Sequence, residues 1–458
     1  MFAKAGPGDY PGMMRKGIRF AALLFACVLP GPLHASQKLV LISPHGEGVR
    51  IEFARAFNEW HQANYGERVE FDWRDVGGTS DIIRFIRSEF KQRPTGIGID
   101  MLFGGGIDPF LELQKDGVLT AYRPPDSILT NIPPFIGGVP LYEKDYHWFG
   151  AALTTFGMAK NKRVVELMGL PEAHEWPDLC QTNLVGWVGS GDPRSSGSVH
   201  MMYEIILQGY GWERGWEIIM KIAGNVRAYD KASSLTAKQA TLGEVAYALA
   251  IDFYALTQVA EAGPENMEFV MPSGIAVVNP DCICLLKGGP NQVIAQRFLD
   301  FVLSEEGQKL WMLPRGHEGG ARQFSIERMS ILPSMYQRYD KVALVKTNPF
   351  ALPIRFQYDP KKGGTRWSIL NGLIGSTVID VHDTLTAAWR SLIRRGLPVA
   401  EAQTFCQPPL SEDKLMALAT GPWSAAAFRN RQQIEWQQEA AGKFRQILQN
   451  EGSTRSSR

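Results

Sequence analysis

The sequence lacks an excess of charge of either sign. Its 458 residues include 48 lysines and arginines against 47 aspartates and glutamates, which gives a formal net charge of +1. The basic residues are spread along the chain and form no run with interleaved aromatic residues. Proteins that bind nucleic acids or membrane surfaces concentrate positive charge on one segment or face. The composition therefore predicts neither kind of partner.

Motifs of hydrolytic enzymes are also missing. The chain contains no Gly-x-Ser-x-Gly nucleophile elbow, no His-Glu-x-x-His zinc motif and no P-loop. Its eight histidines are scattered and form no pair with the spacing of metal ligands. An exported phosphatase or hydrolase would need a nucleophile with a base, or a metal cluster. We therefore expect no catalytic residues, no resident metal and no cofactor, and keep an exported enzyme as an alternative.

Cysteine is scarce, with five residues in the whole chain. Four of them follow residue 35, namely Cys180, Cys282, Cys284 and Cys406. An oxidising compartment would permit disulfides, but the sequence does not determine which cysteines would pair. Cys282 and Cys284 lie two positions apart on a predicted strand, where we expect two buried thiols. A zinc site would require further ligands at a suitable spacing.

Apolar runs long enough to span a membrane are absent, and a run of ten apolar residues lies near the N-terminus. Arg15, Lys16 and Arg19 precede the apolar residues 20–29, and a Pro-Gly-Pro turn separates that run from Ala35. The run is too short to span a bilayer. A basic region, a short apolar core and a small residue at the cut are typical of a secretory signal peptide. We expect cleavage after Ala35 and a periplasmic location, with a buried N-terminal helix as the alternative.

The first part of the mature chain alternates between strand and helix patterns. Apolar runs at 38–43, 69–73 and 98–103 predict strands, and each is followed by a polar or glycine-rich loop and a helical pattern. This repetition predicts an α/β lobe with a mostly parallel sheet. Ligands of such sheets bind beyond the carboxyl ends of the strands. The three loops are therefore candidate binding loops.

The length favours two or three domains. An extended run over 148–159 is suited to carry the chain from one lobe into another, and residues 360–364 are interpreted as a linker. The predicted units are a signal peptide at 1–35, lobe 1 at 36–150 with a return segment at 269–355, lobe 2 at 151–268, a helical C-terminal extension at 356–452 and a disordered end at 453–458.

Residues 189–198 form a loop rich in glycine and serine between a predicted strand at 184–188 and a helical pattern that starts near Met201. Backbone N–H groups at a helix start are unpaired and carry the positive end of the helix dipole. Serine hydroxyls and Arg194 add donors, so one interpretation is half of an anion site. An ordinary helix cap is an equally good interpretation, since Ser, Asp and Gly are common there.

Several segments, taken in order, resemble one known family. They are Leu41–His45, Gly77–Thr79, Phe103–Phe110, Asp192–Ser198, Ile251–Tyr254 and Ala295–Trp311. The set is similar to the periplasmic solute-binding proteins of ABC importers, in the ferric-iron-like branch that also includes binders of phosphorylated sugars and phosphonates. The resemblance covers roughly residues 37–340 and leaves out the helical extension. It implies a type II binding-protein fold, with two α/β lobes that close on a ligand about a hinge.

The resemblance also implies the partners, a small solute and an inner-membrane ABC permease, and we expect a monomer. Iron binders of the family hold the metal with two adjacent tyrosines, where this chain has Phe253 and Tyr254. A ferric ion needs several oxygen donors, and phenylalanine supplies none. We therefore expect an anionic solute, an organophosphate or phosphonate, with ferric iron as the alternative ligand. The solute could be delivered to a permease or reported to a sensor.

The predicted ligand-binding residues are the hydroxyl-bearing, glycine and charged side chains of these loops: Ser43, His45, Gly78, Thr79, Asp108, Arg194, Ser195, Ser196, Gly197, Ser198, Ser234, Asp252 and Tyr254. Glycine N–H groups and hydroxyls would bind the oxyanion. The aspartates would accept hydrogen bonds from ligand hydroxyls or an amine, and Tyr254 would stack on the organic part or bond to it. Helix capping is the structural alternative for several of these residues.

Overall fold

The computed structural model describes residues 37–456, with side chains up to residue 451. The predicted signal peptide and its cleavage site lie outside the described residues. The strands, in chain order, are β1 (Gln37–Ile42), β2 (Val69–Arg74), β3 (Met101–Phe103), β4 (Leu119–Thr120), β5 (Phe135–Ile136), β6 (Val139–Pro140), β7 (Phe149–Thr154), β8 (Phe156–Asn161), β9 (Val188–Gly191), β10 (Val226–Asp230), β11 (Tyr247–Ile251), β12 (Met267–Val270) and β13 (Asn279–Leu286).

Helices fill most of the remaining chain. The α-helices, in chain order, are α1 (Glu47–Tyr65), α2 (Thr79–Gln92), α3 (Ile107–Lys115), α4 (Asp126–Leu129), α5 (Lys162–Leu167), α6 (Gly197–Tyr210), α7 (Trp212–Asn225), α8 (Ser233–Thr241), α9 (Asp252–Ala262), α10 (Gln292–Leu303), α11 (Glu305–Met312), α12 (Pro333–Arg338), α13 (Pro360–Ile374), α14 (His382–Arg394), α15 (Val399–Cys406), α16 (Glu412–Thr420) and α17 (Ala426–Ser456). Short 3-10 helices occupy Trp176–Cys180, Thr182–Leu184, Pro349–Ala351 and Pro422–Ser424, and a π-helical turn occupies Gly375–Ile379.

Two sheets define two lobes. The sheet of lobe 1 has the order β2-β1-β3-β13-β4, with β7 also paired to β13. The sheet of lobe 2 has the order β10-β9-β11-β8-β12. The predicted α/β type is confirmed, but the sheets are mixed. The pairs β1–β2 and β1–β3 are parallel, whereas β13 runs antiparallel to β3, β4 and β7.

The chain crosses between the lobes twice. It leaves the sheet of lobe 1 at Thr154, the end of β7, and enters the sheet of lobe 2 at Phe156, the start of β8. It returns through residues 271–278, between β12 and β13. We therefore use lobe 1 for residues 37–154 and 279–355, and lobe 2 for residues 155–270. Two crossing segments between two α/β lobes are the architecture that the resemblance implies.

The local predictions are corrected at three places. The expected strand at 184–188 begins at Val188 instead, so Gly189–Gly191 belong to β9 and the loop is reduced to residues 192–196. The expected linker at 360–364 is the first turn and a half of α13, because Asp359 accepts hydrogen bonds from the N–H groups of Lys361 and Lys362 and Pro360 is tolerated at the first position. Helix α17 continues to Ser456, past the expected end of order at residue 452.

Helices α13 to α17 and the segment from residue 356 form the C-terminal extension. One hydrophobic cluster includes Phe110 of lobe 1, Trp216 of lobe 2 and Trp389 of the extension, so the extension shares its core with the lobes. A second cluster lies on the other side of the lobe 1 sheet and includes Phe53, Phe57 and Trp311. Within the described residues, every helix is too short or too polar to cross a membrane.

Candidate ligand-binding cleft

A cavity of about 500 Å³ lies between the lobes, at the carboxyl ends of the parallel strands. This volume suits a small molecule. Its lining, which we call the cleft, consists of Pro44, His45, Gly46, Arg50, Asp75, Gly77, Gly78, Thr79, Asp81, Gly105, Gly106, Thr154, Phe156, Ser195, Ser196, Gly197, Ser198, Met201, Lys231, Ala232, Ser233, Ser234, Ile251, Phe253, Tyr254, Asn279, Pro280, Asp281 and Arg328.

Five helix N-termini meet at the cleft. The residues that precede α1, α2, α3, α6 and α8 are Gly46, Gly78, Gly106, Ser196 and Ala232, and all five line the cavity. Four of these residues are glycine or alanine and have no side-chain acceptor, and the Ser196 side chain accepts no capping hydrogen bond from α6. The first N–H groups of these helices are therefore left to another acceptor, and the positive ends of the dipoles point to one space. This arrangement favours an anion.

A chain of hydroxyl groups connects two of these helix starts in lobe 2. Ser196 Oγ lies 3.1 Å from Ser198 Oγ, which lies 2.9 Å from Ser233 Oγ. Thr79 lines the cavity from lobe 1. Hydroxyls can rotate to donate to an oxyanion, so this end of the cleft offers neutral donors beside the helix N–H groups.

A buried charged cluster forms the other end of the cleft. His45 Nε2 lies 2.7 Å from Asp281 Oδ2 and 3.2 Å from Arg328 Nη1, and Arg328 donates to Asp281. The N–H of Gly105 donates to Asp281 Oδ1 at 2.6 Å. The guanidinium carbon of Arg328 lies 3.7 Å from the centre of the Phe253 ring. A cation over an aromatic face is a favourable geometry, so Arg328 is fixed in place.

The ionisation of this cluster follows from its burial and its partners. Burial opposes the charge of Asp281, but Arg328 and His45 outweigh it and lower the pKa of Asp281. Burial lowers the pKa of His45, against the effect of Asp281. Asp281 is therefore a carboxylate and His45 a neutral imidazole at neutral pH. The Arg328–Asp281 pair therefore has no net charge.

Some buried polar atoms of the cleft have no protein partner. Within the described residues, Asn279 Nδ2 and Oδ1, Arg328 Nε and His45 Nδ1 make no hydrogen bond. Asn279 is only 1% exposed, and all three residues line the cavity. Buried polar groups in native proteins are almost always paired, and leaving one unpaired costs about 1–3 kcal/mol. These atoms are the natural partners of a polar ligand.

Nine of the predicted ligand-binding residues line the cleft: His45, Gly78, Thr79, Ser195, Ser196, Gly197, Ser198, Ser234 and Tyr254. They come from five segments, two in lobe 1 and three in lobe 2, which the fold brings together. The other four predicted residues, Ser43, Asp108, Arg194 and Asp252, are not part of the lining.

Two of these four have structural roles close to the cleft. Ser43 is buried, and its hydroxyl donates to the Phe103 carbonyl at 2.6 Å. Asp252 accepts hydrogen bonds from Thr154 Oγ1 and from the Thr155 N–H at 2.7 Å. Because the chain crosses between the lobes at Thr154 and Thr155, Asp252 fixes the crossing strand, and its acceptor capacity is used there.

The other two point towards the C-terminal extension. Asp108, the second residue of α3, is fully buried, and Tyr358 donates a hydrogen bond to its carboxyl group. Arg194 pairs with Asp192 and Asp380, both at 2.8 Å. Each lies in the segment where the pattern predicts it, but its side chain binds a residue of the extension and does not line the cleft. The helical extension that binds them was outside the resemblance.

The charged end of the cleft is not predicted from the sequence. Asp281 and Arg328 are 47 positions apart and Arg328 lies in an irregular segment, so neither belongs to a recognisable motif. Asn279 and Asp281 lie at the start of β13, which the apolar residues of that segment already predict as a strand. The pattern therefore gives no separate signal for a binding role of these two residues. Ser233 and Lys231 lie next to Ser234 in the sequence after β10, and they also line the cleft.

The lobes touch each other at the edge of the cleft. Ser80 Oγ donates to the Pro193 carbonyl at 3.2 Å, and Arg84 Nη1 donates to the Arg194 carbonyl at 2.8 Å. A side chain on Gly78 would overlap the Ser195 carbonyl oxygen of the other lobe. The structure therefore represents a closed arrangement of the lobes.

The cysteines and the acidic residues add no further site. Cys180, Cys282, Cys284 and Cys406 are free thiols, and Cys282 and Cys284 are buried as expected. Across residues 37–451 we find no group of three or more His, Cys, Asp or Glu residues arranged to hold a metal ion.

Residues 100–315 match a family model described as bacterial extracellular solute-binding protein. Over these residues the chain is similar to bacterial extracellular solute-binding proteins. An uncharacterized protein of Haemophilus influenzae is 25% identical over 275 residues, which cover 58% of this chain and 76% of that protein. The phosphoglycerate transport regulatory protein PgtC of Salmonella typhimurium is 26% identical over 159 residues, 35% of this chain and 39% of that protein.

Solved structures show the same fold. The periplasmic binding protein P5PA has a TM-score of 0.62 and 23% identity, over 75% of this chain and all of that chain. The periplasmic binding protein AfuA from Actinobacillus pleuropneumoniae, described with fructose-6-phosphate bound, has a TM-score of 0.59 and 20% identity, over 79% and 99% of the two chains. These structures show the type II fold that the resemblance implies, and the matching family model describes extracellular proteins that bind solutes.

Proposed function

We propose that this protein captures a small organophosphate or phosphonate between its lobes and delivers it to an ABC permease. It acts without catalysis, as a monomer, after export and removal of a signal peptide at Ala35. Binding is non-covalent, and closure of the lobes excludes water from the hydrogen bonds that hold the ligand.

The observation that carries this proposal is the convergence of five uncapped helix N-termini on one cavity. A phosphoryl group has three acceptor oxygens, which suit several N–H and hydroxyl donors at once. The Ser196, Ser198 and Ser233 hydroxyls lie beside two of these helix starts. We assign the phosphoryl group of the ligand to this end of the cleft.

The other end suits the organic part of the ligand. Asn279, Arg328 and His45 each present an unpaired buried polar atom there, and Phe253 and Tyr254 provide aromatic surface. An amide, a guanidinium and an imidazole can together bind hydroxyl or carbonyl groups in both donor and acceptor roles. A ligand fits both halves of the cleft when one end is the anionic phosphoryl group and the other end is polar. That polar end is either an uncharged group or a carboxylate.

Ferric iron, the alternative ligand, is less compatible with the same residues. The Arg328 guanidinium lies over the Phe253 ring, where it would repel a metal cation. Burial raises the pKa of the Tyr254 phenol, and Asp281 adds to this effect while Arg328 opposes it. A raised pKa makes the phenolate that a hard trivalent ion requires more difficult to form.

The comparisons agree with this ligand class. AfuA is described with fructose-6-phosphate bound, and the Salmonella relative is named for phosphoglycerate transport.

A thermal-shift titration of the mature protein, stripped of ligand, tests the proposal. Sugar phosphates, phosphoglycerates, phosphonates, inorganic phosphate, sulfate and ferric citrate form the panel. A ligand at one hundred times its Kd adds about 2.7 kcal/mol to the free energy of unfolding, which raises Tm visibly. We expect a phosphorylated compound to give the largest shift.

The matched variants are a double change, Ser196→Ala with Ser198→Ala, and the exposed control Ser334→Ala. Loss of hydrogen bonds to a charged group costs about 1.5–3 kcal/mol each, so the double variant should weaken binding by about tenfold or more. A shift produced by ferric citrate alone, or a shift that survives in the double variant, would refute the organophosphate assignment.

A further inference from the structure

The C-terminal extension is attached to lobe 2 by buried polar contacts along α13. Arg366 Nε donates to both carboxylate oxygens of Glu204 at 2.9 Å, and both side chains are fully buried. His200 Nδ1 lies 2.7 Å from Asn371 Oδ1. Because the Arg366–Glu204 pair is shielded from solvent, its hydrogen bonds hold the two side chains in one geometry. The pair therefore joins α13 rigidly to α6.

The same helix also contacts lobe 1, at α3. Tyr358, two residues before α13, donates to the Asp108 carboxylate. A side chain on Gly363 would overlap both Asp108 and Tyr358, and a side chain on Gly364 would lie 3.2 Å from the Asp108 carbonyl oxygen. The backbone of α13 therefore lies directly against α3 at a position where only glycine fits.

Both contact points lie immediately behind the ligand cleft. Asp108 is the second residue of α3, whose preceding residue Gly106 lines the cleft. On the lobe 2 side, a side chain on Gly197 would lie 3.3 Å from the Trp367 ring of α13 and 3.0 Å from Thr79 of lobe 1. One helix of the extension thus supports a helix N-terminus from each lobe.

We propose that Tyr358 and Trp367 are positioning residues of the solute site: they hold the α3 start of lobe 1 and the α6 start of lobe 2 together, so that the extension favours the closed lobes before a ligand arrives. Apparent affinity scales with the fraction of molecules in the binding-competent form. The extension therefore raises affinity without touching the ligand. The proposal depends on closure around the cleft and not on the organophosphate assignment.

Two pairs of full-length variants test this role. Tyr358→Phe removes the hydroxyl that binds Asp108, and its control is Tyr122→Phe, which breaks a similar 2.8 Å bond to Asp300 in lobe 1. Gly363→Ala separates α13 from α3 sterically, and its control is Gly442→Ala in α17, where a side chain has open space. Either test variant suffices if the other fails to fold.

Small-angle X-ray scattering of the ligand-free proteins is the first measurement. We expect Tyr358→Phe and Gly363→Ala to increase the radius of gyration, because the lobes open, while both controls match the unsubstituted protein. Equal scattering of Tyr358→Phe and the unsubstituted protein overturns the proposal. So does an equal expansion of Tyr122→Phe, because that result would mean general loosening of the fold.

Binding of inorganic phosphate and of glucose-6-phosphate, measured by calorimetry, is the second measurement. One hydrogen bond corresponds to roughly a two- to tenfold change in an equilibrium constant, so Tyr358→Phe should weaken binding by that factor and Tyr122→Phe should not. Absence of binding in the unsubstituted protein would count against the organophosphate assignment only, since the scattering result decides the role of the extension independently.

Discussion

Asp108 shows how the environment of one residue changes its chemistry. Burial raises the pKa of Asp108 well above its ordinary value, against the hydrogen bond from Tyr358. Glu204 and Asp359 raise it further, while Arg366 opposes them. The folded protein therefore holds this proton at a pH where the unfolded chain releases it. The contribution to stability is present at low pH and is lost as the pH rises through the pKa of the folded state.

Asp108→Asn should remove this dependence on pH. The amide keeps an acceptor for Tyr358 and does not titrate, so the stability of the variant should fall less steeply above pH 4. The expected difference in slope approaches about 1.4 kcal/mol per pH unit in the affected range. Urea unfolding between pH 4 and 8 measures it, with exposed Asp413→Asn as the control. Parallel profiles for Asp108→Asn and the unsubstituted protein would show that Asp108 is ionised throughout.

At the scale of elements, the helix N-termini both form the proposed anion site and limit how closely the lobes approach. Gly46 and Gly78 both precede a helix, with φ values of −65° and −74° that any residue can adopt. A side chain on Gly46 has open space, whereas one on Gly78 would overlap the Ser195 carbonyl of lobe 2. The two positions therefore separate the effect on the helix from the effect on closure.

Gly78→Ala should prevent full closure and weaken solute binding by about tenfold or more, because the added methyl group meets backbone and not a flexible side chain. Gly46→Ala should bind as the unsubstituted protein does. Both should unfold at similar temperatures without ligand, since the helix cost of the two substitutions is the same. Calorimetric titration with the compound that gives the largest thermal shift measures the solute affinity of both variants. Normal affinity of Gly78→Ala would mean that the lobes bind ligand in a more open form.

At the scale of the whole molecule, the extension behaves as part of the lobes. The hydrophobic cluster that contains Trp216 and Trp389 includes residues of lobe 1, lobe 2 and the extension. The buried pair of Arg366 and Glu204 crosses the boundary between lobe 2 and α13. Units that share one core unfold together, so we expect no separate transition for the extension.

Arg366→Met tests this cooperativity. Removal of one partner from a buried ion pair costs about 3–5 kcal/mol, because the remaining charge of Glu204 is left uncompensated. We expect a lower midpoint in a single transition, followed by circular dichroism and by tryptophan fluorescence. The surface variant Arg338→Met should change little, since its partner Glu305 lies near solvent. Two separate transitions in Arg366→Met would show that the extension is an independent domain.

The sequence by itself determined the features that depend on local patterns. Alternating apolar runs and loops predicted the α/β lobes and the crossing strand. Glycines and serines near helix starts identified six residues of the cleft, and His45, Thr79 and Tyr254 were predicted with them. Phe253 stands where the iron binders of the resembling family have a tyrosine, and this difference argued against a metal ion as the solute. These features are predictable because hydrophobic periodicity and the residue preferences of helix starts depend on only a few neighbouring residues along the chain.

Only the tertiary structure decided which way the loop side chains point and what completes the site. Arg328 meets Asp281 through packing of distant segments, and no spacing in the sequence records that contact. Asp108 and Arg194 occupy the predicted loops but bind Tyr358 and Asp380 of the extension. A polar residue at a helix start has two sides available to it, and the choice depends on the partner that the fold places on each side.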